Sequence, residues 1–144
     1  MTEQSTIHIF LIDDDNDDRF LFKDALSKTG VPVAFQEAED CLDALDKLEK
    51  MKSDVPYIIF IDLNMPDIDG FECIRLIKKR SNWAGIPLIV YSTSGSRAHI
   101  EEAGRLGATA YMKKPSDFWK LCEKIEKILA INLKAQDNYL GVIE

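Results

Sequence analysis

Short apolar runs alternate with segments of helical periodicity along the whole chain. Three of these runs are continuous, which is typical of strands buried on both faces of a parallel sheet. The alternation predicts an α/β fold, a doubly wound five-stranded parallel sheet with five helices on its two faces. The predicted strands span residues 7–12, 33–38, 57–61, 87–91 and 109–112, and the predicted helices span residues 17–28, 41–51, 70–79, 97–106 and 117–130.

The last predicted helix has the clearest amphipathic pattern, because its apolar residues recur at helical spacing while charged residues fill the opposite face. Two other helices are each preceded by an acid that fits an N-cap, Asp40 and Asp69. The segment 33–38 is more polar than the other strands, so we expect it at an edge of the sheet. The apolar positions of the last helix are Phe118, Leu121, Cys122, Ile125, Ile128 and Leu129.

The composition is that of one globular domain. The chain has 144 residues, of which 46% are hydrophobic and 30% are charged, enough to bury a core and too hydrophobic for a disordered chain. We assign residues 1–131 to this domain. Residues 132–144 form a C-terminal tail that is too short to be an output domain.

Charge and targeting features narrow the class of protein. The formal net charge of -7 argues against a general nucleic-acid or anionic-membrane surface. Because no leader and no run of roughly 20 apolar residues is found, the sequence predicts a cytoplasmic protein with no membrane contact. Cys41, Cys73 and Cys122 lie far apart without the close pairs of a zinc site, so we expect reduced, mostly buried thiols.

Polar side chains stand where four of the predicted strands end. Asp13 and Asp14 follow the first strand, Asp62 follows the third, Ser92 follows the fourth and Lys114 follows the fifth. If the strands are parallel neighbours, their last residues meet at one edge, where open α/β sheets place ligands. Carboxylates, a hydroxyl and an ammonium group are therefore expected in one crevice.

The three carboxylates Asp13, Asp14 and Asp62 would repel one another unless a cation lay among them. Hard oxygen ligands of this kind suit Mg²⁺, which leaves positions open for a substrate phosphate. Lys114 supplies a mobile positive charge and Ser92 a donor for phosphoryl oxygens, which leaves Asp62 as the nucleophile. Neither histidine fits as a base, since one lies in a strand pattern and the other in a helix pattern.

Taken together, these motifs resemble the receiver domain of two-component response regulators, which has a flavodoxin-like fold. The resemblance covers nearly the whole chain. It rests on Asp13-Asp14, the segment 62–70, Ser92 and Lys114-Pro115.

The resemblance implies that Asp62 accepts a phosphoryl group from a phosphohistidine on a sensor kinase or phosphotransfer protein. It also implies a role for each remaining site residue. Asp14 and Asp62 would bind Mg²⁺ directly, Asp13 would bind it through water, and Asn64 would contribute its backbone carbonyl. Lys114 would contact the phosphoryl group and precede a cis peptide bond to Pro115.

Ser92 and Tyr111 match the hydroxyl and aromatic switch positions of the family. Thr93 or Ser94 would replace Ser92 if the strand register slipped by one residue. For Tyr111, packing in the core and movement as a switch are equally good interpretations. The segments 13–18 and 92–96 further resemble single-domain receivers that work with phytochromes, which implies a phytochrome-type kinase as partner.

The leading hypothesis is therefore a stand-alone signalling switch, not an enzyme, whose downstream partner the sequence does not name. One alternative is a Mg²⁺-dependent phosphohydrolase with an aspartyl-phosphate intermediate, although such enzymes usually carry an acid where this chain has Asn64. Another is a phosphate-independent interaction module. The apolar residues of the tail fit either packing against the domain or a homodimer interface.

Overall fold

A computed structural model describes residues 6–52 and 55–144. Five parallel strands form one sheet in the order β2-β1-β3-β4-β5, which confirms the predicted fold class. The strands are β1 Ile7–Ile12, β2 Val33–Ala38, β3 Ile58–Ile61, β4 Leu88–Ser92 and β5 Ala110–Lys113. The helices are α1 Asn16–Lys28, α2 Cys41–Met51, α3 Gly70–Lys78, α4 Arg97–Arg105 and α5 Phe118–Ala130, followed by a short 3-10 helix, Leu133–Ala135.

All ten predicted elements are present, and their ends differ from the prediction by no more than a residue or two. The polar strand β2 lies at an edge of the sheet, as predicted. The two acids expected to cap helices do so, since Asp40 accepts a hydrogen bond from the backbone N–H of Asp43 at 2.8 Å, and Asp69 accepts one from Glu72 at 2.9 Å. Each cap satisfies a backbone donor that the first turn of a helix leaves free.

The core consists of two apolar layers, one on each face of the sheet. Helices α1 and α5 cover one face, where Phe22 and Ile125 are fully buried. Helices α2, α3 and α4 cover the other face with residues such as Leu48 and Ile74. Strands β3 and β4 are buried along their whole length, which explains their continuous apolar sequence.

The expectation of three reduced cysteines is wrong for two of them. Cys41 and Cys73 form a disulfide with a Cα–Cα distance of 5.8 Å, although they are 32 residues apart in the sequence. They lie in the first turns of α2 and α3, which cover the same face of the sheet, so helix packing brings them together. Cys122 is a free, buried thiol, as expected.

The C-terminal tail packs against the domain along the outer edge of β5. Residues 139–143 lie beside β5 and form one isolated parallel bridge, between Val142 and Tyr111; we call this segment the C-terminal strand. Of the two interpretations left open by the sequence, the structure shows packing against the domain. Among the described residues, no helix is long and apolar enough to cross a membrane.

Candidate functional site

The backbone hydrogen bonds of the sheet continue into the site residues. The N–H of Asp13 donates to the carbonyl of the last residue of β2 at 3.1 Å, and the N–H of Asp62 donates to the carbonyl of the last residue of β1 at 2.9 Å. The N–H of Lys114 donates to the carbonyl of Ser92, the last residue of β4, at 2.7 Å. The sheet therefore holds each of these residues directly, and the expected convergence of strand ends is observed.

Three carboxylates form an acidic cluster at this edge. Asp13, Asp14 and Asp62 each offer an oxygen, and these oxygens all lie within 4.8 Å of one another. Asp13 and Asp62 are buried, whereas Asp14 is exposed to solvent. Carboxylate oxygens at this spacing are the ligands that hard divalent cations such as Mg²⁺ and Mn²⁺ take, so the donor set fits such an ion.

Asn64 lies beside the cluster, because its backbone N–H points to a carboxylate oxygen of Asp62 at 3.4 Å. Its side chain is exposed, so the main chain is the part of this residue that faces the acids. That placement is compatible with a backbone carbonyl ligand.

The ammonium group of Lys114 is surrounded by carboxylates. Its Nζ lies 2.8 Å from Asp13, 2.7 Å from Asp18 and 3.5 Å from Asp62, and only 8% of the side chain is exposed. Asp18 was missed by the sequence analysis as a partner of this lysine. The position of Asp18 in the first turn of α1 was visible in the sequence, but the packing of α1 against α5, the helix that follows Lys114, was not.

Burial and the neighbouring charges shift the pKa values of these groups. Burial, helped by the charges of Asp13 and Asp14 and opposed by Lys114, raises the pKa of Asp62 to about 6. The pKa of Asp13 is also raised by burial. Burial alone would lower the pKa of Lys114, but its hydrogen bonds to Asp13 and Asp18 outweigh that effect and raise it. The lysine therefore stays charged and offsets part of the acidic cluster.

Arg19 anchors the loop that carries the first two acids, a role that the sequence analysis did not identify. This buried residue of α1 donates to the backbone carbonyl of Asp13 at 2.5 Å and to Glu37 at 2.8 Å. It also donates to the side chain of Asn16. An arginine placed inside an acidic segment was the available signal, because a buried guanidinium needs several acceptors.

The start of α3 packs directly on the backbone of Asp62. A Cβ atom added to Gly70 would lie 2.4 Å from the carbonyl oxygen of Asp62 and 2.6 Å from the Cα of Leu63. Gly70 also donates its N–H to the carbonyl of Leu63 at 3.0 Å. Only a residue without a side chain permits this approach, so Gly70 helps to set the position of Asp62.

Ser92 is the buried last residue of β4, whereas Thr93 is exposed, so the structure favours the predicted register. The Ser92 hydroxyl accepts a hydrogen bond from the N–H of Ser94 at 3.2 Å. Tyr111 is fully buried and donates its hydroxyl to the carbonyl of Ser94 at 2.7 Å. Tyr111 therefore packs in the core and also contacts the loop that follows Ser92.

The expectation of a cis peptide bond between Lys114 and Pro115 is wrong, because no peptide bond within the described residues is cis. The trans form is the intrinsically favoured one, even before proline. A motif match does not include the tertiary contacts that would have to overcome this preference.

Comparisons with known proteins agree with this site. The family model described as the response regulator receiver domain matches residues 9–126 of this chain. The chemotaxis protein CheY1 of Helicobacter pylori is 31% identical over 124 residues, which cover 86% of this chain and 98% of CheY1. Among solved structures, the phosphorylated cyanobacterial phytochrome response regulator RcpA is similar, with a TM-score of 0.78 and 28% identity over 86% of this chain and 91% of RcpA.

The Mn²⁺-bound form of the response regulator Rcp1 has a TM-score of 0.76 and 24% identity, covering 92% of this chain and 98% of Rcp1, and it supports the fold. The family match spans both layers of the core and all the strand ends that build the site. The acidic cluster with its adjacent lysine fits a phosphorylation site that works with a divalent ion. This chain belongs to the response regulator receiver family, and it is a CheY-like signalling switch of two-component systems rather than an enzyme.

Proposed function

We propose that Asp62 is the phosphoacceptor and that Asp13, Asp14 and Asp62 hold Mg²⁺ together with the backbone carbonyl of Asn64. The supporting observation is the state of the Asp62 carboxylate. Its contacts with Asn64 and Lys114 are long, at 3.4 Å and 3.5 Å, whereas Asp13 is engaged by Lys114 at 2.8 Å. Of the two buried acids, Asp62 therefore has the longer contacts, and its oxygens are more available than those of Asp13 for bond formation.

In the proposed reaction, an Asp62 oxygen attacks the phosphorus of a phosphohistidine on the donor protein. The P–N bond breaks and its electron pair returns to the imidazole, while the phosphoryl group becomes an acyl phosphate on Asp62. The bound cation would offset the negative charge of the phosphoryl oxygens. Lys114 sits 3.5 Å from Asp62 and can donate to one of those oxygens without leaving Asp13 or Asp18.

The Ser92 hydroxyl, which now accepts from the Ser94 N–H, would donate its own hydrogen to another phosphoryl oxygen, and its movement toward that oxygen would lengthen the bond from Ser94. That change moves the loop after β4 and alters the hydrogen bond between Tyr111 and Ser94. Phosphorylation would then shift the population between two arrangements of this loop and change the binding face formed by α4, β5 and α5.

The donor is a sensor histidine kinase or a phosphotransfer protein. The likeness to RcpA, described as a phytochrome response regulator, supports a kinase of the phytochrome type. The cytoplasmic location and the absence of an output domain expected from the sequence stay predictions.

Phosphorylation with acetyl phosphate and Mg²⁺ tests the assignment. The intact protein should gain one hydroxylamine-sensitive phosphoryl group, and Asp62→Asn should gain none while keeping its circular dichroism spectrum. Asp67→Asn is the matched control, because Asp67 follows closely in the sequence and lies outside the acidic cluster. Labelling of Asp62→Asn at the level of the control would overturn the assignment.

A separate partner-binding measurement addresses the phosphate-independent interaction module. If partner binding is unchanged by beryllofluoride and by Asp62→Ala, the domain acts without its phosphorylation site. No observation favours the phosphohydrolase, since the position two residues after Asp62 is the amide Asn64.

A further inference from the structure

The C-terminal strand lies along the outer edge of β5 and is joined to residues 109–111 by three backbone hydrogen bonds. The N–H of Tyr111 donates to the carbonyl of Gly141, and the carbonyl of Tyr111 accepts from the N–H of Ile143, both at 2.8 Å. The N–H of Leu140 donates to the carbonyl of Thr109 at 2.9 Å. An edge strand otherwise presents unpaired donors and acceptors to other chains. The tail therefore closes an edge that would be open without it.

Side chains fix the same segment over the neighbouring helices. The hydroxyl of Tyr139 donates to the carbonyl of Ile100 in α4 at 2.7 Å. The Tyr139 ring lies on Gly104, where an added Cβ would come within 2.5 Å of a ring carbon. Lys127 of α5 donates to a backbone oxygen of Glu144 at 2.6 Å. The C-terminal strand and Glu144, the residue after it, thus contact α4, β5 and α5.

Tyr111 connects this strand with the loop that leaves the phosphorylation site. Its backbone makes two of the three hydrogen bonds that join the backbones of residues 109–111 and the tail, and its hydroxyl donates to the carbonyl of Ser94. Ser94 in turn donates its N–H to Ser92. A continuous series of hydrogen bonds therefore runs from the C-terminal strand to the hydroxyl expected to contact a phosphoryl group.

We propose that the C-terminal strand is an intramolecular ligand of the β5 edge and that phosphorylation of Asp62 releases it. The proposal rests on the proposed function, because it requires Ser92 and its loop to move. When the loop moves, the Tyr111 hydroxyl loses its acceptor, and the arrangement of Tyr111 that pairs with the tail is no longer favoured. Release exposes a strand edge, a surface that binds extended segments of partner proteins.

The coupling is reciprocal, since two events linked through one element bias each other by the same factor. If phosphorylation weakens docking of the C-terminal strand, docking must weaken binding of a phosphoryl analogue at Asp62. Removing the strand should therefore tighten that binding.

Amide hydrogen exchange measures the release directly. The N–H groups of Tyr111, Leu140 and Ile143 donate across the tail interface, so each should exchange at least tenfold faster with beryllofluoride and Mg²⁺ than with Mg²⁺ alone. The N–H of Ile59 donates to Pro87 inside the sheet at 2.9 Å and should be unaffected. In Asp62→Asn, adding beryllofluoride should not change the exchange rates of these three N–H groups.

Two variants test the reverse direction by calorimetric titration with beryllofluoride. A chain ending at Asp137 lacks the strand, and Gly104→Ala drives a methyl group into the Tyr139 ring while favouring the helix itself. Both should bind beryllofluoride at least tenfold more tightly than the intact chain. The Ile59 amide reports whether each variant is folded, and Gly104→Ala remains informative if the shortened chain does not fold.

The outcomes separate the two proposals. If beryllofluoride does not bind the intact chain at all, both the phosphoacceptor assignment and this proposal are wrong. If beryllofluoride binds but the tail amides and the variant affinities are unchanged, only the coupling is overturned. A dimer that dissociates when the tail is removed would show that the strand docks on a second copy, which also contradicts the intramolecular proposal.

Discussion

Replacing Asp62 by asparagine should stabilise the protein when no divalent ion is present. Asp62 is 5% exposed and close to two other acids, and the pKa of its carboxylate is raised by burial from 3.8 to about 6. Folding therefore disfavours the charged form of this residue, and the cost applies wherever the unfolded chain carries the charge. Asparagine has nearly the same shape without the charge.

The size of the effect follows from the two pKa values. Each pKa unit corresponds to about 1.4 kcal/mol, so the change from 3.8 to about 6 is worth about 3 kcal/mol. Because the folded-state pKa is the higher one, the stability associated with protonated Asp62 is complete below 3.8 and is lost as the pH rises to about 6. Asp62→Asn should thus gain about 3 kcal/mol at about pH 7.5 and less than about 1 kcal/mol at about pH 4.

Urea unfolding in a chelator measures this difference, with fluorescence of the buried Trp83 as the probe. Adding Mg²⁺ should stabilise the wild-type protein and not Asp62→Asn, because a ligand that binds the folded state adds to its free energy of unfolding. A variant that is equally or less stable than wild type at about pH 7.5 would refute the reasoning. An equal gain at both pH values would show that the effect is not electrostatic.

Three further predictions concern the surroundings of the site. Asp18→Asn removes a charged partner that lies 2.7 Å from Lys114, so beryllofluoride should bind about fivefold more weakly by calorimetry, and unchanged binding would exclude a positioning role for Asp18. Reducing the disulfide between Cys41 and Cys73 should lower the free energy of unfolding by about 3 kcal/mol, given its 32-residue separation, and superimposable urea curves with and without reductant would contradict this. Tyr111→Phe loses the hydrogen bond to the Ser94 carbonyl and should cost about 1 kcal/mol in the same assay; no loss would mean that the bond contributes nothing in solution.

The strand and helix pattern was sufficient to predict the sheet, because apolar periodicity records which faces of each element are buried. The position of Asp62 followed from the same pattern, since parallel strands bring their carboxyl ends to one edge. Roles of the individual site residues, taken from the receiver resemblance, stay predictions that the labelling and titration experiments address. The trans peptide before Pro115 shows that a motif match alone does not establish local backbone geometry.

The sequence by itself determined the order and type of the elements, the edge at which the acids meet and the family to which the chain belongs. Only the tertiary structure decided that Asp18 pairs with Lys114, that Cys41 bonds to Cys73 and that the tail closes the β5 edge. The physical reason is that periodicity is a property of neighbours along the chain. Contacts between residues tens of positions apart depend on how whole helices and strands pack, and the spacing of residues within one element does not specify that packing.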